Sequence, residues 1–135
     1  MIESGRCDGP RAAILNVVGL CNRHLGEDTP RLTDFSAKTT GKPLLIKPVM
    51  PALTCSAQAT YLTGSLPSEH GIVGNGWDDR TLNEHHFWKQ SNRLVGGPKI
   101  WEKLRAERPG FRTANLFWWF NMYSSVDYSI TPRPL

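Results

Sequence analysis

The residues best placed to do chemistry lie in a hydroxyl-rich segment at positions 51–64. Thr54 stands where an extended apolar segment gives way to a predicted helix. The first backbone N–H groups of a helix have no partner within it, and the helix dipole also favours negative charge there. We therefore expect the N–H groups of Cys55, Ser56 and Ala57 to bind an anion, with the Thr54 hydroxyl beside it as a nucleophile.

Thr54 has a second possible role, because Thr is a common N-cap residue. A threonine hydroxyl is a poor nucleophile at neutral pH, and no His lies close to Thr54 in the sequence. Activation would need a His from elsewhere in the chain, or a divalent metal ion that stabilises the alkoxide. Cys55 could be the nucleophile instead, but no Arg follows within six residues to bind a phosphate, so a buried structural role is expected for its thiol.

Composition and charge restrict the class of protein. The chain has 135 residues, 39% of them hydrophobic, which is enough for one globular domain with a core. Its net charge is only +4, and the basic residues are scattered rather than clustered as in a nucleic-acid-binding arm. Residues 1–11 are polar and unlike a signal peptide, and the longest apolar run, Ala12–Leu20, is too short to span a bilayer. We predict a cytoplasmic protein that binds neither nucleic acid nor membrane.

The three Cys residues are odd in number and show no short paired spacing, a pattern that does not indicate a disulfide scaffold. Cys21 and His24 have the spacing of half a metal site, but the sequence shows no second half.

The order of predicted elements indicates an α/β fold. Apolar and β-branched runs predict strands over residues 12–19, 43–49 and 112–120, and residues 87–92 are either a strand or an exposed loop. Cap and breaker residues predict helices over 30–38, 56–62 and 98–106, with 121–135 irregular. This alternation implies a mostly parallel sheet between helices. Residues 1–11 are expected to be a leader and 12–135 the N-terminal part of a larger domain, because so few strands would leave the sheet edges uncovered.

The segment around Thr54 resembles the nucleophile segment of the type I phosphodiesterases/nucleotide pyrophosphatases, in the alkaline phosphatase superfamily. The matching pieces are Pro51-Ala-Leu-Thr54, Leu62-Thr-Gly64, Pro67-Ser-Glu-His70-Gly-Ile72 and Asn75. Further matches are Thr29-Pro-Arg-Leu32, Lys99-Ile-Trp101 and Phe117-Trp118. The resemblance extends over about residues 12 to 120, nearly the whole chain.

This resemblance implies an alkaline-phosphatase-like layered fold, incomplete in this chain, and hydrolysis of phosphodiester or pyrophosphate bonds. Two divalent metal ions, usually zinc, would be held by the nucleophilic Thr and by Asp and His side chains, most of them downstream of the nucleophile. Thr54 would attack phosphorus and form a phospho-threonine intermediate, which metal-bound water would hydrolyse. The substrate would be a small-molecule phosphodiester or a nucleotide.

Two departures from the family pattern concern the metal and the substrate. Val18 occupies the position of an acidic ligand, and Asn16, on the same strand face, could supply a weaker oxygen ligand or could instead satisfy a backbone group. Ala57 stands where the family often has an Asn that contacts a phosphate oxygen, a role that Gln58 or Asn75 could take. A catalytically inactive fragment, or a non-catalytic relative without the full metal site, is the alternative function.

His70 is the remaining polar residue of the matched pattern. In the family it occupies a structural loop position, and we expect it to bond local backbone.

Overall fold

The computed structural model of the protein describes residues 11–39, 41, 44 and 46–132. These residues fall into two compact units, with the boundary between Ile46 and Lys47. No helix among the described residues is long and apolar enough to cross a membrane.

The first unit contains a short 3-10 turn, Asn22–His24, and one helix, α1, Pro30–Thr39. Thr29 precedes the helix and its carbonyl accepts the first helical bond, from Thr33 N at 3.0 Å. Pro30 suits the first position because its missing N–H would have no partner there. Beyond the helix, Gly41 has a φ of +74° and donates its N–H to Ser36 O at 3.1 Å. The predicted helix and its glycine stop are therefore confirmed.

The strand predicted over residues 12–19 is wrong, because the segment is irregular and ends in a turn at Val18 and Gly19. Its apolar side chains are exposed, Leu15 by 85% and Val18 by 78%. A strand needs a neighbouring strand for its backbone groups, and the described residues of this unit form none. Of the strand predicted over 43–49, Pro43 and Leu45 lie outside the described residues, and 46–49 are irregular.

The second unit is built around helix α2, Thr54–Thr63. Six of its ten residues are buried, so the helix lies within the core rather than on its surface. The helix ends at Gly64, whose left-handed φ of +71° lets its N–H donate to Thr60 O at 2.8 Å. This is the stop that the sequence predicts. Cys55 and Ala59 pack in a core with Ile72, Val95 and Phe120.

Two shorter helices complete the helical part of this unit. The four-residue α3, Pro67–His70, ends at Gly71 with a φ of +80°. Helix α4, Ile100–Glu107, begins after Lys99, whose N–H donates to the Glu102 carboxylate at 2.9 Å. The helix predicted over 98–106 is therefore confirmed to within two residues.

The strands of this unit form two separate pairs. Strands β1, Gly76–Asp79, and β2, Glu84–Phe87, make an antiparallel hairpin in which Trp77 faces His86. Strands β3, Ala114–Leu116, and β4, Tyr128–Ile130, run parallel.

The strand predictions therefore hold only in part. The strand predicted over 112–120 is shorter than expected, because Phe117 adopts a left-handed φ of +59° directly after β3. The prediction that 121–135 is irregular is wrong at β4, because the pairing with β3 is set by residues distant in sequence. The chain is a mixed α/β protein.

Candidate active site

Thr54 is the first residue of α2, one position inside the helix. Leu53 is the N-cap, with extended φ and ψ of −114° and 159°. Ser56 fixes this end of the helix, because its hydroxyl donates to Pro51 O at 2.6 Å and accepts from Leu53 N at 3.4 Å. The N-cap role considered for Thr54 is therefore wrong. Its partly buried hydroxyl bonds to no other described residue.

Asn75 lies against the same helix end. Its Oδ1 accepts the N–H of Cys55 at 3.0 Å, across 20 residues of sequence. Because the amide oxygen faces the helix, the orientation of the amide is fixed and its two Nδ2–H donors point elsewhere. Among the described residues these donors have no partner.

The backbone donors around Thr54 divide into used and unused groups. Ala57 N–H donates to Leu53 O at 2.9 Å as the first bond of the helix, so the expected anion contact at Ala57 is wrong. The Cys55 N–H is taken by Asn75. The N–H groups of Thr54 and Ser56 donate to no described residue, as the first turn of a helix requires. The donors left without a described partner near this helix end are therefore these two N–H groups, the Thr54 hydroxyl and the Asn75 amide N–H groups.

The Cys55 thiol points into the core and is 1% exposed. Burial raises the pKa of this thiol to about 12, because the thiolate would lose its hydration. The thiol therefore stays protonated and unreactive, which confirms its expected structural role. Only the backbone of Cys55 faces the candidate site.

Gln58 lies one turn beyond Thr54 and is 7% exposed. Its Oε1 accepts the backbone N–H of Trp119 at 2.7 Å, which ties α2 to the aromatic segment after β3. The Trp119 ring meets Trp88 edge to face at 4.9 Å, and Trp88 N–H donates to Asn75 O at 2.9 Å. Gln58 and Asn75 are thus joined through two Trp residues, a connection that no sequence motif indicates.

His70 is 1% exposed and takes part in the fold, as expected. Its Nδ1 accepts from Ile72 N at 3.1 Å, so its Nε2 carries the proton and donates to Thr60 Oγ1 at 3.0 Å. Burial lowers the pKa of His70, chiefly by desolvating the charged ring. Both ring nitrogens are therefore occupied, and His70 is not a free base for Thr54.

The two His residues of the hairpin differ in environment. His85 is exposed and pairs with Asp78 at 2.5 Å. His86 is buried, because the alternation of β2 turns it towards Trp77, at a ring distance of 5.2 Å. Its Nε2 lies 3.4 Å from the Asp79 carboxylate.

The metal ligands proposed from the sequence are Thr54 and Asn16. Asn16 lies on the irregular, exposed segment of the first unit. Within the described ranges, no three His, Cys, Asp or Glu side chains come together as a metal site. By themselves, a neutral hydroxyl and a neutral amide do not make a site for a pair of zinc ions, which take thiolate, imidazole and carboxylate ligands.

Comparison with known proteins shows which protein family the chain is similar to. The model of the type I phosphodiesterase / nucleotide pyrophosphatase family matches residues 12–134. Over 108 residues the chain is 30% identical to an uncharacterized pyrophosphatase/phosphodiesterase of Schizosaccharomyces pombe, an alignment that covers 76% of this chain and 22% of that relative. The chain therefore spans about a fifth of the relative's length, and no solved structure is significantly similar to it. A match over nearly the whole chain shows that it belongs to the type I phosphodiesterase / nucleotide pyrophosphatase family.

Proposed function

We propose that this chain carries the nucleophile of a hydrolase that cleaves phosphodiester or pyrophosphate bonds, and that Thr54 is that nucleophile. The observation that carries the proposal is the free Thr54 hydroxyl at the N-terminus of α2, beside unpaired N–H groups and the Asn75 amide. A small-molecule phosphodiester or a nucleotide is the proposed substrate, in keeping with the family.

The phosphoryl group would bind at the end of α2. The N–H groups of Thr54 and Ser56 would donate to its oxygens, and the helix dipole would favour its charge. Asn75 would make the contact to a phosphate oxygen that the family often makes with an Asn where this chain has Ala57. Its Nδ2–H donors have no partner among the described residues, which supports this role. Gln58 is the weaker candidate for that contact, because it is buried and its oxygen already accepts from Trp119.

The reaction would proceed in two steps on Thr54. In the first, Oγ1 forms a bond to phosphorus, the bond to the leaving oxygen breaks, and the leaving group takes up a proton. In the second, water attacks phosphorus and releases the Thr54 hydroxyl. None of the described residues next to Thr54 can act as its base, because the Cys55 thiol and the His70 ring are both buried and unavailable.

We propose two zinc ions as the cofactors of the longer hydrolase, with Thr54 as the one ligand from the described residues of the second unit. When bound, such ions stabilise an alkoxide and the charge on a phosphoryl group. Since the described residues do not supply a fitting set of ligands, the remaining ligands would have to come from outside them.

The alkaline-phosphatase-like layered fold is part of the same proposal. Parallel sheets normally have both faces covered. Strand β4 is exposed along its length, with Tyr128 at 59% and Ile130 at 48%. We propose that the β3–β4 pair belongs to a larger, mostly parallel sheet between helices in the longer protein.

The test measures hydrolysis of a nitrophenyl phosphodiester by the longer polypeptide in the presence of zinc. The parent protein is compared with its Thr54→Ala and Thr54→Ser variants. Thr54→Ala should abolish turnover and leave the fold intact, since the hydroxyl makes no bond within the described residues. Thr54→Ser keeps a hydroxyl and should retain activity. Acid quenching of the parent should trap phosphate on Thr54, visible by mass spectrometry. Unchanged turnover in Thr54→Ala would refute the nucleophile assignment.

A second candidate function is a non-catalytic relative or an inactive fragment. Val18 at the position of an acidic ligand, and the lack of a metal cluster among the described residues, favour it for this chain by itself. We expect the purified 135-residue chain to hydrolyse no nitrophenyl phosphodiester in the presence of zinc. Measurable zinc-dependent turnover would contradict that expectation.

A further inference from the structure

Residues 70–75 join α3 to β1 and are bonded to helix α2 at both ends. At the first end, His70 Nε2 donates to Thr60 Oγ1 at 3.0 Å. At the other end, Asn75 Oδ1 accepts the Cys55 N–H at 3.0 Å. Because Cys55 and Thr60 lie more than one turn apart on α2, the two bonds hold the 70–75 segment along the helix.

His70 also makes the bonds that fix the segment on its other sides. Its Nδ1 accepts the Ile72 N–H at 3.1 Å, and its carbonyl accepts the Gly96 N–H at 2.9 Å. The imidazole is 1% exposed, and Ile72 is fully buried in the core cluster that contains Cys55. The neutral ring therefore serves as both donor and acceptor in a place that is closed to water.

A second proton on this ring is incompatible with these bonds. The imidazolium carries an N–H on both nitrogens, so Nδ1 could no longer accept from Ile72. Two donors would then face each other in the core, and each would be left buried without a partner. Protonation of His70 therefore requires that the Ile72 N–H move away from the ring.

Few charged groups lie on the elements packed against His70. Helix α2 contains none. Lys99 donates to Val95 O and Gly97 O in the loop that contacts the His70 carbonyl, and Lys103 donates to Thr63 O at the end of α2. Glu69, on α3, favours the charged ring, but loss of hydration outweighs it and lowers the pKa of His70 below its ordinary value of 6.5.

We propose that the 70–75 segment is an acid-sensitive strap, which a proton on His70 releases from α2 while the rest of the second unit stays folded. The proton comes from solvent and binds Nδ1 once the Ile72 N–H has left it. Ile72 then leaves the core, and Asn75 no longer accepts the Cys55 N–H. The closed strap is favoured above pH 6.5 and is lost as the pH falls towards the pKa of the buried ring.

The thiol of Cys55 reports the opening, because it is 1% exposed and shares the core cluster with Ile72. The test measures its reaction with 4,4′-dithiodipyridine, which labels thiols in mild acid, in the 135-residue chain with Cys7→Ser and Cys21→Ser. Each rate is divided by the rate of the urea-unfolded chain at the same pH. Below pH 6.5 this normalised rate should rise by up to about tenfold for each pH unit, as one proton requires.

Two substitutions of His70 and one of its partner provide the controls. His70→Asn and His70→Gln replace the titrating ring by a neutral amide that can keep one of its bonds, and their normalised rates should not depend on pH. Thr60→Val removes only the bond from the ring to α2, so it should raise the rate at every pH and keep the pH dependence.

Amide hydrogen exchange of the parent provides a second measurement if the His70 variants do not fold. After correction for its intrinsic pH dependence, exchange of the Ile72 and Cys55 N–H groups should accelerate in acid, whereas exchange within α4 should not. Labelling should also depend less on urea than global unfolding does, because the strap exposes less surface.

Three results would overturn the proposal. The first is a normalised rate in the parent that does not rise in acid, and the second is a rise that persists in both His70 variants. The third is a dependence on urea equal to that of global unfolding, with acceleration in α4 as well. Because these measurements involve neither Thr54 nor phosphate, their outcome is independent of the proposed hydrolase.

Discussion

The hydrogen bond from Cys55 N–H to Asn75 Oδ1, 3.0 Å long, can be tested by substitution of Asn75. Asn75→Ala removes the acceptor and leaves a partly buried N–H at the start of α2 without a partner. Loss of such a capping bond costs about 1 kcal/mol. With an m value of about 1 kcal/mol per molar urea for a small protein, the unfolding midpoint should fall by about 1 M. The five Trp residues supply the fluorescence signal.

Asn75→Asp is the matched control. Its carboxylate keeps an acceptor for Cys55 N–H, and a negative charge at a helix N-terminus stabilises by about 0.3–1 kcal/mol. Stability should therefore equal or exceed that of the parent. The same change removes the two Nδ2–H donors and adds a repulsive charge, so it should abolish any affinity for inorganic phosphate.

The assay combines urea unfolding with calorimetric titration of phosphate on the same samples. Asn75→Ala should be less stable and bind phosphate more weakly, whereas Asn75→Asp should be stable and fail to bind. An unchanged midpoint in Asn75→Ala would show that the bond contributes nothing to stability. Phosphate binding by Asn75→Asp at the affinity of the parent would refute the role of the amide.

Stability should also depend on pH through His70, whose pKa burial lowers from its ordinary value of 6.5. The unfolded chain then binds a proton that the folded chain does not, so stability is complete above pH 6.5 and falls as the pH drops towards the folded pKa. Urea midpoints between pH 8 and 5 measure this fall, and His70→Gln should reduce it; an identical pH dependence in that variant would contradict the assignment. Gln58→Leu leaves the Trp119 N–H without its acceptor and should cost about 1–3 kcal/mol, whereas Gln58→Glu keeps the acceptor. If Gln58→Leu instead weakens phosphate binding without loss of stability, Gln58 contacts the anion as the sequence suggested.

Local patterns in the sequence determined helices α1, α2 and α4 and singled out the segment that carries Thr54. Pro30, Gly64 and Pro98 mark helix ends through constraints on their own backbone, and these constraints act within a few residues. The position of Thr54 at the start of α2 follows from the same short-range signals. Family membership also followed from sequence, because the matched residues are fixed in order and spacing.

Only the tertiary structure decided which groups meet at that helix end. Asn75 reaches Cys55 across 20 residues and Gln58 reaches Trp119 across 61, and side-chain pairings of this length leave no periodic trace in sequence. The same limit explains the error over residues 12–19: an apolar, β-branched run predicts a strand, but a strand exists only where another strand accepts its backbone bonds. The propensity of a segment to form a strand depends on its own residues. Strand pairing and burial depend on which other residues lie next to that segment in the folded chain.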